Sequence, residues 1–167
     1  MQVYDSVTRL LEDTRRAGGA ISQTVLRAQA ADGEATAEQI YARMQRRLAV
    51  MRQAAEEGLK PGRRWAAAGS GHTLCGGILA VTMARALAVA EHNACMGRIV
   101  AAPTAGSCGI LPAVILSVGE AVGAEEHAQV MGLFTAAGFG MVTAARASVS
   151  GAECGCQAEC GSASAMA

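Results

Sequence analysis

The sequence predicts an all-α fold, a bundle-like catalytic domain whose helices are joined by glycine- and proline-rich loops. Aromatic residues make up only 3% of the chain, whereas β-sandwiches are rich in aromatic and β-branched residues. The chain also contains 20 glycines and abundant alanine, and a core of small residues is filled by helices that approach one another closely. Apolar residues recur every three or four positions, as on one helix face. With 167 residues, we expect a single domain with its own core.

The first 58 residues predict three amphipathic helices. The first is expected from Val3 to Arg16 and the second from Ile21 to Ala31. The third starts after Thr36, which forms a capping-box pattern with Gln39. Its apolar face carries Ile40, Met44, Leu48 and Met51. We interpret residues 1–58 as front helices that serve packing or partner contact, since they contain no pattern that indicates chemistry.

Residues 69–167 are predicted to form the catalytic part, with four further helices. These are expected at about Leu74–Ala90, at Leu111–Gly119, at Glu125–Ala147 and from a loop at Ser150 onward. The residues expected to face inward from the first of these helices are Ile78, Val81, Met83 and Leu87. On the third, Gly132, Ala136 and Gly140 recur every four positions, so another helix can approach that face closely.

One apolar segment raises the question of a membrane span. The 18 residues from Ala128 to Ala145 contain no charge, which reaches the lower limit for a spanning helix. Most of them are Gly, Ala and Thr, with few Leu or Ile, so the drive for insertion is weak. We interpret the segment as a buried core helix, and a small membrane helical protein is the alternative.

The charge balance and the cysteines limit the classes of protein to which this chain could belong. Lys+Arg and Asp+Glu are both 14, so a nucleic-acid partner is not expected. The N-terminal residues are charged and amphipathic, unlike a secretory signal. Six cysteines in a chain expected in the cytoplasm indicate metal ligands or reduced thiols rather than disulfides.

Three of the cysteines form a C-x-C-x3-C pattern at Cys154, Cys156 and Cys160. If this segment is helical, the last two lie on one face. Thiolates favour zinc or an iron–sulfur cluster, to which Cys108 could add a fourth sulfur. The spacing matches no common zinc ribbon, although a structural zinc module stays open. The other alternative is that these are apolar cysteines buried in an alanine-rich core.

Two loops of small residues hold the remaining candidates. The loop from Gly69 to Gly77 precedes a helix, and amides at a helix N-terminus suit an anion such as a carboxylate. The alternative is a glycine-rich turn capped by Thr73. Within this loop, His72 is the best candidate for an acid, a base or a substrate contact, whereas His92 and His127 are expected to be structural.

The segments Asn93–Pro112 and Ser150–Ala167 contain the motifs PTAGS-x-G and SGA-x-x-GCQAE-x-GSAS-x-MA. With them, roughly the whole chain resembles the α chain of the iron–sulfur-dependent L-serine dehydratases (L-serine ammonia-lyases). The resemblance implies a mostly helical catalytic domain, a [4Fe–4S] cluster, and cytoplasmic conversion of L-serine to pyruvate and ammonia, a reaction of amino-acid degradation and gluconeogenesis. It also implies a partner, either a separate β chain or a second copy of this chain.

The resemblance assigns Cys156, the cysteine of Gly-Cys-Gln, to the cluster. Our hypothesis gives His72 the role of base. In this hypothesis, two groups of residues bind the substrate carboxylate and amine. The first is Ser70, Gly71 and Thr73 in one loop, and the second is Asn93, Thr104, Ala105, Gly106 and Ser107 in the other. The cluster would act as Lewis acid on the hydroxyl, while the base takes the α proton.

Two departures from the family pattern accompany this assignment. The family's other cluster cysteines lie in a Cys-Asp-Pro…Pro-Cys segment that would follow Ala167, and a Gly-Gly-Asp stretch expected near Pro61 is not found. The alternative function is therefore an inactive, truncated α-chain fragment that acts only as a structural or interaction module.

Overall fold

The computed structural model describes residues 4–65 and 77–167, which form seven α-helices and no β-strand. The predicted all-α class is confirmed. The helices are α1 (Val7–Ala17), α2 (Ile21–Ala30), α3 (Ala37–Gly58), α4 (Gly77–Ala94), α5 (Ile110–Ala121), α6 (Glu126–Arg146) and α7 (Gly151–Met166).

Short polar contacts determine where the front helices begin and end. The Ser6 side chain accepts a hydrogen bond from the Arg9 amide at 3.3 Å, so α1 begins after Ser6 rather than near Val3. Gly18 closes α1 in the left-handed conformation, with φ 64°, which glycine adopts without strain. The predicted capping box of α3 is confirmed, because Thr36 and Gln39 exchange side chain-to-backbone hydrogen bonds of 3.0 and 3.3 Å.

Helix α6 lies at the centre of the packing and contacts α1, α2, α3, α5 and α7. Val130, Leu133 and Phe134 on it are at most 3% exposed. Its length and composition would suit a membrane span, and a core helix of a soluble protein meets the same criterion. The predicted small-residue face is observed: Ile115 of α5 packs on Gly132, and Met166 of α7 packs on Gly140.

The predicted inward face of α4 is wrong for three of its four residues. Ile78, Met83 and Leu87 are 45%, 47% and 40% exposed, whereas Val81 is half-buried. The buried residues of α4 are Ala84, Ala88 and Val89. The reason is close backbone packing: Gly58 of α3 lies against the Ala88 carbonyl, with no room for a Cβ between them. Small residues such as Ala84 and Ala88 therefore face the neighbouring helices together with Val89, and Ile78, Met83 and Leu87 are left outside.

Candidate functional site

The loop between α4 and α5 is a tight turn from Pro103 to Ser107. The Ala102 amide donates to the Thr104 carbonyl at 3.3 Å, and the Cys108 amide donates to the Ala105 carbonyl at 3.4 Å. The Ser107 hydroxyl lies 3.1 Å from Thr104 Oγ1 and 3.4 Å from the Thr104 carbonyl oxygen. Ser107 is 2% exposed, and both oxygens within hydrogen-bond distance of its hydroxyl belong to Thr104 of the same turn.

Asn93 joins this loop from the end of α4. Its Nδ2 donates a 3.2 Å hydrogen bond to the Ala105 carbonyl. The structure thus brings together five of the substrate-binding candidates, namely Asn93, Thr104, Ala105, Gly106 and Ser107.

Sequence reasoning missed Glu159 of α7, which lies against the same loop. Thr104 Oγ1 donates to Glu159 Oε1 at 2.6 Å, in the range of a short hydrogen bond to a charged acceptor. The carboxylate fills the space beside two glycines: a Cβ added to Gly106 would lie 2.6 Å from Glu159 Oε2, and one on Gly151 would be equally crowded. The available signal was that Glu159 follows the motif cysteine Cys156 by three residues, which is one helical turn.

Cys156 is exposed on the first turns of α7, directly after a kink at Gly155 with φ 75°. Its sulfur lies 3.8 Å from that of Cys160, so the expectation that these two thiols share one face holds. The hydrogen bond with Cys156, followed by burial, raises the pKa of the Cys160 thiol. Cys156 and Cys160 lie on the same helix as Glu159, and Cys156 precedes Glu159 by one turn. The thiol pair is therefore close in sequence to the residue that contacts the Pro103–Ser107 loop.

Cys108 is separate from this thiol pair. It is 1% exposed and belongs to the hydrophobic core, and burial raises the pKa of its thiol. A protonated, enclosed thiol is a packing group rather than a ligand, so the interpretation of a buried apolar cysteine suits Cys108.

The described side chains around the thiol pair do not form a metal centre by themselves. Within the residues that the structure describes, no three His, Cys, Asp or Glu side chains stand close enough to hold one ion. A [4Fe–4S] cluster is held by several thiolates and a structural zinc by four ligands. The described residues therefore do not complete either kind of site on their own, and the assignment of Cys156 to a cluster stays a prediction.

Four of the predicted site residues, Ser70, Gly71, His72 and Thr73, lie outside the described residues, so their placement stays a prediction.

Comparison with known proteins identifies the family. The family model "Serine dehydratase alpha chain" matches residues 16–167. The chain belongs to the serine dehydratase alpha chain family. The resemblance found in the sequence motifs is thereby confirmed.

Three relatives show how the match is distributed. The probable L-serine dehydratase alpha chain of Bacillus subtilis is 36% identical over 177 aligned positions, which cover 99% of this chain and 59% of that protein. The L-serine dehydratase alpha chain of Peptoniphilus asaccharolyticus is 50% identical over 100 residues, covering 60% of this chain and 34% of the relative. L-serine dehydratase TdcG of Escherichia coli is 47% identical over 83 residues, or 49% and 18% of the two chains.

The chain thus spans 59% or less of the length of these three serine dehydratases. No solved structure matches it.

Proposed function

We propose that this chain is the catalytic α chain of an L-serine dehydratase, which converts L-serine to pyruvate and ammonia. The family match supports the reaction class. The observation that carries the proposal is the 2.6 Å hydrogen bond from Thr104 to Glu159, because it joins the Pro103–Ser107 loop to the helix of the motif cysteine, Cys156. Two segments that the family motifs single out thereby meet at one place.

The reaction needs help at two atoms of L-serine. The α proton is weakly acidic and must be taken by a base as the hydroxyl leaves Cβ. The resulting enamine becomes an imine, and water hydrolyses the imine to pyruvate and ammonia, so the water lost in elimination is consumed again. A [4Fe–4S] cluster, when bound, would supply a Lewis acid for the leaving hydroxyl.

The proposed division of labour follows the site's geometry where the structure describes it. Cys156 offers an exposed thiol for a cluster. Asn93 of α4 and the turn residues Thr104, Ala105, Gly106 and Ser107 are proposed to hold the substrate, which is supported by the hydrogen bonds that bring them together. Ser70, Gly71 and Thr73 are proposed to contact the substrate as well, with His72 as the base.

The proposal also includes a partner chain and a location in the cell. The remaining cluster ligands would come from residues other than those brought together here, and a β chain or a second copy of this chain would complete the enzyme. Reduced cysteines and a bacterial amino-acid-degrading reaction are consistent with the cytoplasm.

The test is turnover by the assembled enzyme. The dehydratase is purified anaerobically from its native host through a tag on this chain, and pyruvate formation from L-serine, iron and acid-labile sulfide are measured. We expect pyruvate formation together with iron and sulfide. Absence of pyruvate from enzyme that contains iron and sulfide would contradict the proposal.

A second candidate is an inactive structural or interaction module. It is favoured by the observation that the described residues do not complete a cluster site. It predicts neither iron nor turnover in the same preparation, whatever chains are purified with the tagged one.

A further inference from the structure

Glu159 determines in which direction the hydroxyl groups of the Pro103–Ser107 loop donate their hydrogen bonds. A carboxylate can only accept hydrogen bonds, so Thr104 must be the donor in the 2.6 Å contact with Glu159. A threonine hydroxyl has a single proton. Once that proton is given to Glu159, Thr104 Oγ1 has only lone pairs left for other partners.

The same argument extends to Ser107. Its hydroxyl lies 3.1 Å from Thr104 Oγ1 and 3.4 Å from the Thr104 carbonyl oxygen. Since Thr104 has no second proton, Ser107 is the donor to whichever of these oxygens it binds. Both hydroxyl protons therefore point into the protein, and of the two hydroxyls the half-buried Thr104 presents only an acceptor to a ligand, while Ser107 is buried.

The charge around the loop agrees with this polarity. In the described ranges, 4–65 and 77–167, no Lys, Arg or His forms an ion pair with Glu159 within 4.0 Å. The carboxylate is half-buried beside Gly106, where a negative charge is screened less than at an open surface. A cationic donor is the group that suits such a site, and a carboxylate would meet repulsion and no donor from these hydroxyls.

We propose that Glu159 is a positioning residue that makes the Thr104 hydroxyl oxygen, with the buried Ser107 hydroxyl behind it, a recognition site for the ammonium group of the substrate, so that the substrate carboxylate is bound elsewhere. This inference rests on the proposed function. An ammonium group carries three donors and no acceptor, which matches a hydroxyl oxygen that lies beside a carboxylate.

The test compares two competitive inhibitors of L-serine turnover that have no hydroxyl on Cβ and so cannot undergo the proposed elimination. L-Alanine keeps the ammonium and carboxylate groups, and L-lactate replaces the ammonium by a hydroxyl. In the assembled enzyme, Glu159→Gln is expected to weaken inhibition by alanine about 10-fold or more, as for loss of a hydrogen bond to a charged group, and to change inhibition by lactate less than about 2-fold. Equal weakening of both inhibitors, or no change in either, would overturn the inference.

Matched variants separate positioning from general damage. Glu153→Gln removes a carboxylate from the same helix, where Glu153 bonds Ser148 instead, and should leave both inhibition constants unchanged. Thr104→Val should reproduce the selective loss of alanine, and Thr104→Ser, which keeps the hydroxyl, should not. If Glu159→Gln does not fold, the comparison of Thr104→Val with Thr104→Ser tests the inference, again by selective loss of inhibition by alanine.

Kinetics supply the readout if lactate inhibition of the wild type is too weak to measure. The KM for L-serine is then expected to rise about 10-fold in Glu159→Gln with kcat within about 3-fold, and a fall in kcat at unchanged KM would overturn the inference. A wild-type enzyme that forms no pyruvate from L-serine would instead refute the proposed function, before any variant is compared.

Discussion

At the scale of single residues, the cysteines that the structure describes differ in their exposure to solvent. Cys154 and Cys156 are exposed near the start of α7, whereas Cys108 is enclosed in the core. The pattern of cysteine spacing could not separate them, because exposure depends on which neighbouring elements cover a residue. Whether a cysteine is available for chemistry or only packs in the core therefore depends on its position in the fold.

The exposed thiol of Cys156 gives the first residue-scale prediction. Cys156→Ser should abolish the cluster absorbance of the assembled enzyme after anaerobic reconstitution, because a hydroxyl is a poor ligand for iron in place of a thiolate. Cys154→Ser is the matched control, since Cys154 is also exposed and stands two residues away, and its spectrum should be unchanged. An unaltered spectrum in Cys156→Ser would remove this residue from the cluster.

The enclosed thiol of Cys108 gives the second. Thiolate is the form that alkylates, and burial raises the pKa of Cys108, so iodoacetamide at pH 8 should modify Cys108 at least about tenfold more slowly than Cys154. Mass spectrometry of the native protein measures both rates, and in urea the two should converge. Equal rates in the native protein would show that the thiol is accessible.

The raised pKa of Cys108 also determines how its contribution to the free energy of unfolding changes with pH. The unfolded chain loses the Cys108 proton first as the pH rises through the ordinary value of 9.0. The stabilising contribution of this buried neutral thiol is therefore present below that pH and is lost above it.

At the scale of elements, the closest approach of helices depends on glycine. Gly58 at the end of α3 lies against the backbone carbonyl of Ala88 in α4. This contact explains why α4 turns small residues inward and leaves Met83 and Leu87 outside. Apolar periodicity predicted that Met83 and Leu87 are buried, because it assumes that large side chains are buried first.

Gly58→Ala should destabilise the protein by about 1–3 kcal/mol, the usual cost of overpacking, since the Ala88 backbone must move. Urea unfolding followed by circular dichroism measures the change. Gly161→Ala in α7 is the control, because a Cβ there meets nothing within 4 Å, and it should stabilise the helix by about 0.5–1 kcal/mol. Equal effects of the two variants would contradict the close α3–α4 contact.

At the scale of the whole molecule, stability depends on the packing around α6. Phe134 is fully buried in the core cluster, and α6 contacts helices from both the front part and the catalytic part of the chain. The division of the sequence into front helices and a catalytic part therefore does not correspond to two separate hydrophobic cores.

Phe134→Ala should cost about 3–5 kcal/mol in the free energy of unfolding, because it leaves a cavity in this core. Val122→Ala is the matched apolar truncation at a residue that is 71% exposed, and its effect should stay within about 0.5 kcal/mol. Thermal unfolding of the two variants checks the prediction, and a small loss for Phe134→Ala would place the main core elsewhere.

Several features could be predicted from the sequence by itself. The all-α class, the capping box at Thr36, the small-residue face of α6 and the family all follow from local patterns: periodicity, cap residues and contiguous motifs. Such patterns act over one or two helical turns, so they are visible in a linear reading of the chain.

Only the tertiary structure decided which face of α4 is buried and which side chain completes the Pro103–Ser107 loop. Thr104 and Glu159 are 55 positions apart, and no local pattern relates them. Their hydrogen bond exists because α7 packs on α5, which follows this loop directly, and because glycines at 106 and 151 leave room for a carboxylate. Contacts of this kind depend on the packing of whole elements, which residue spacing along the chain does not contain.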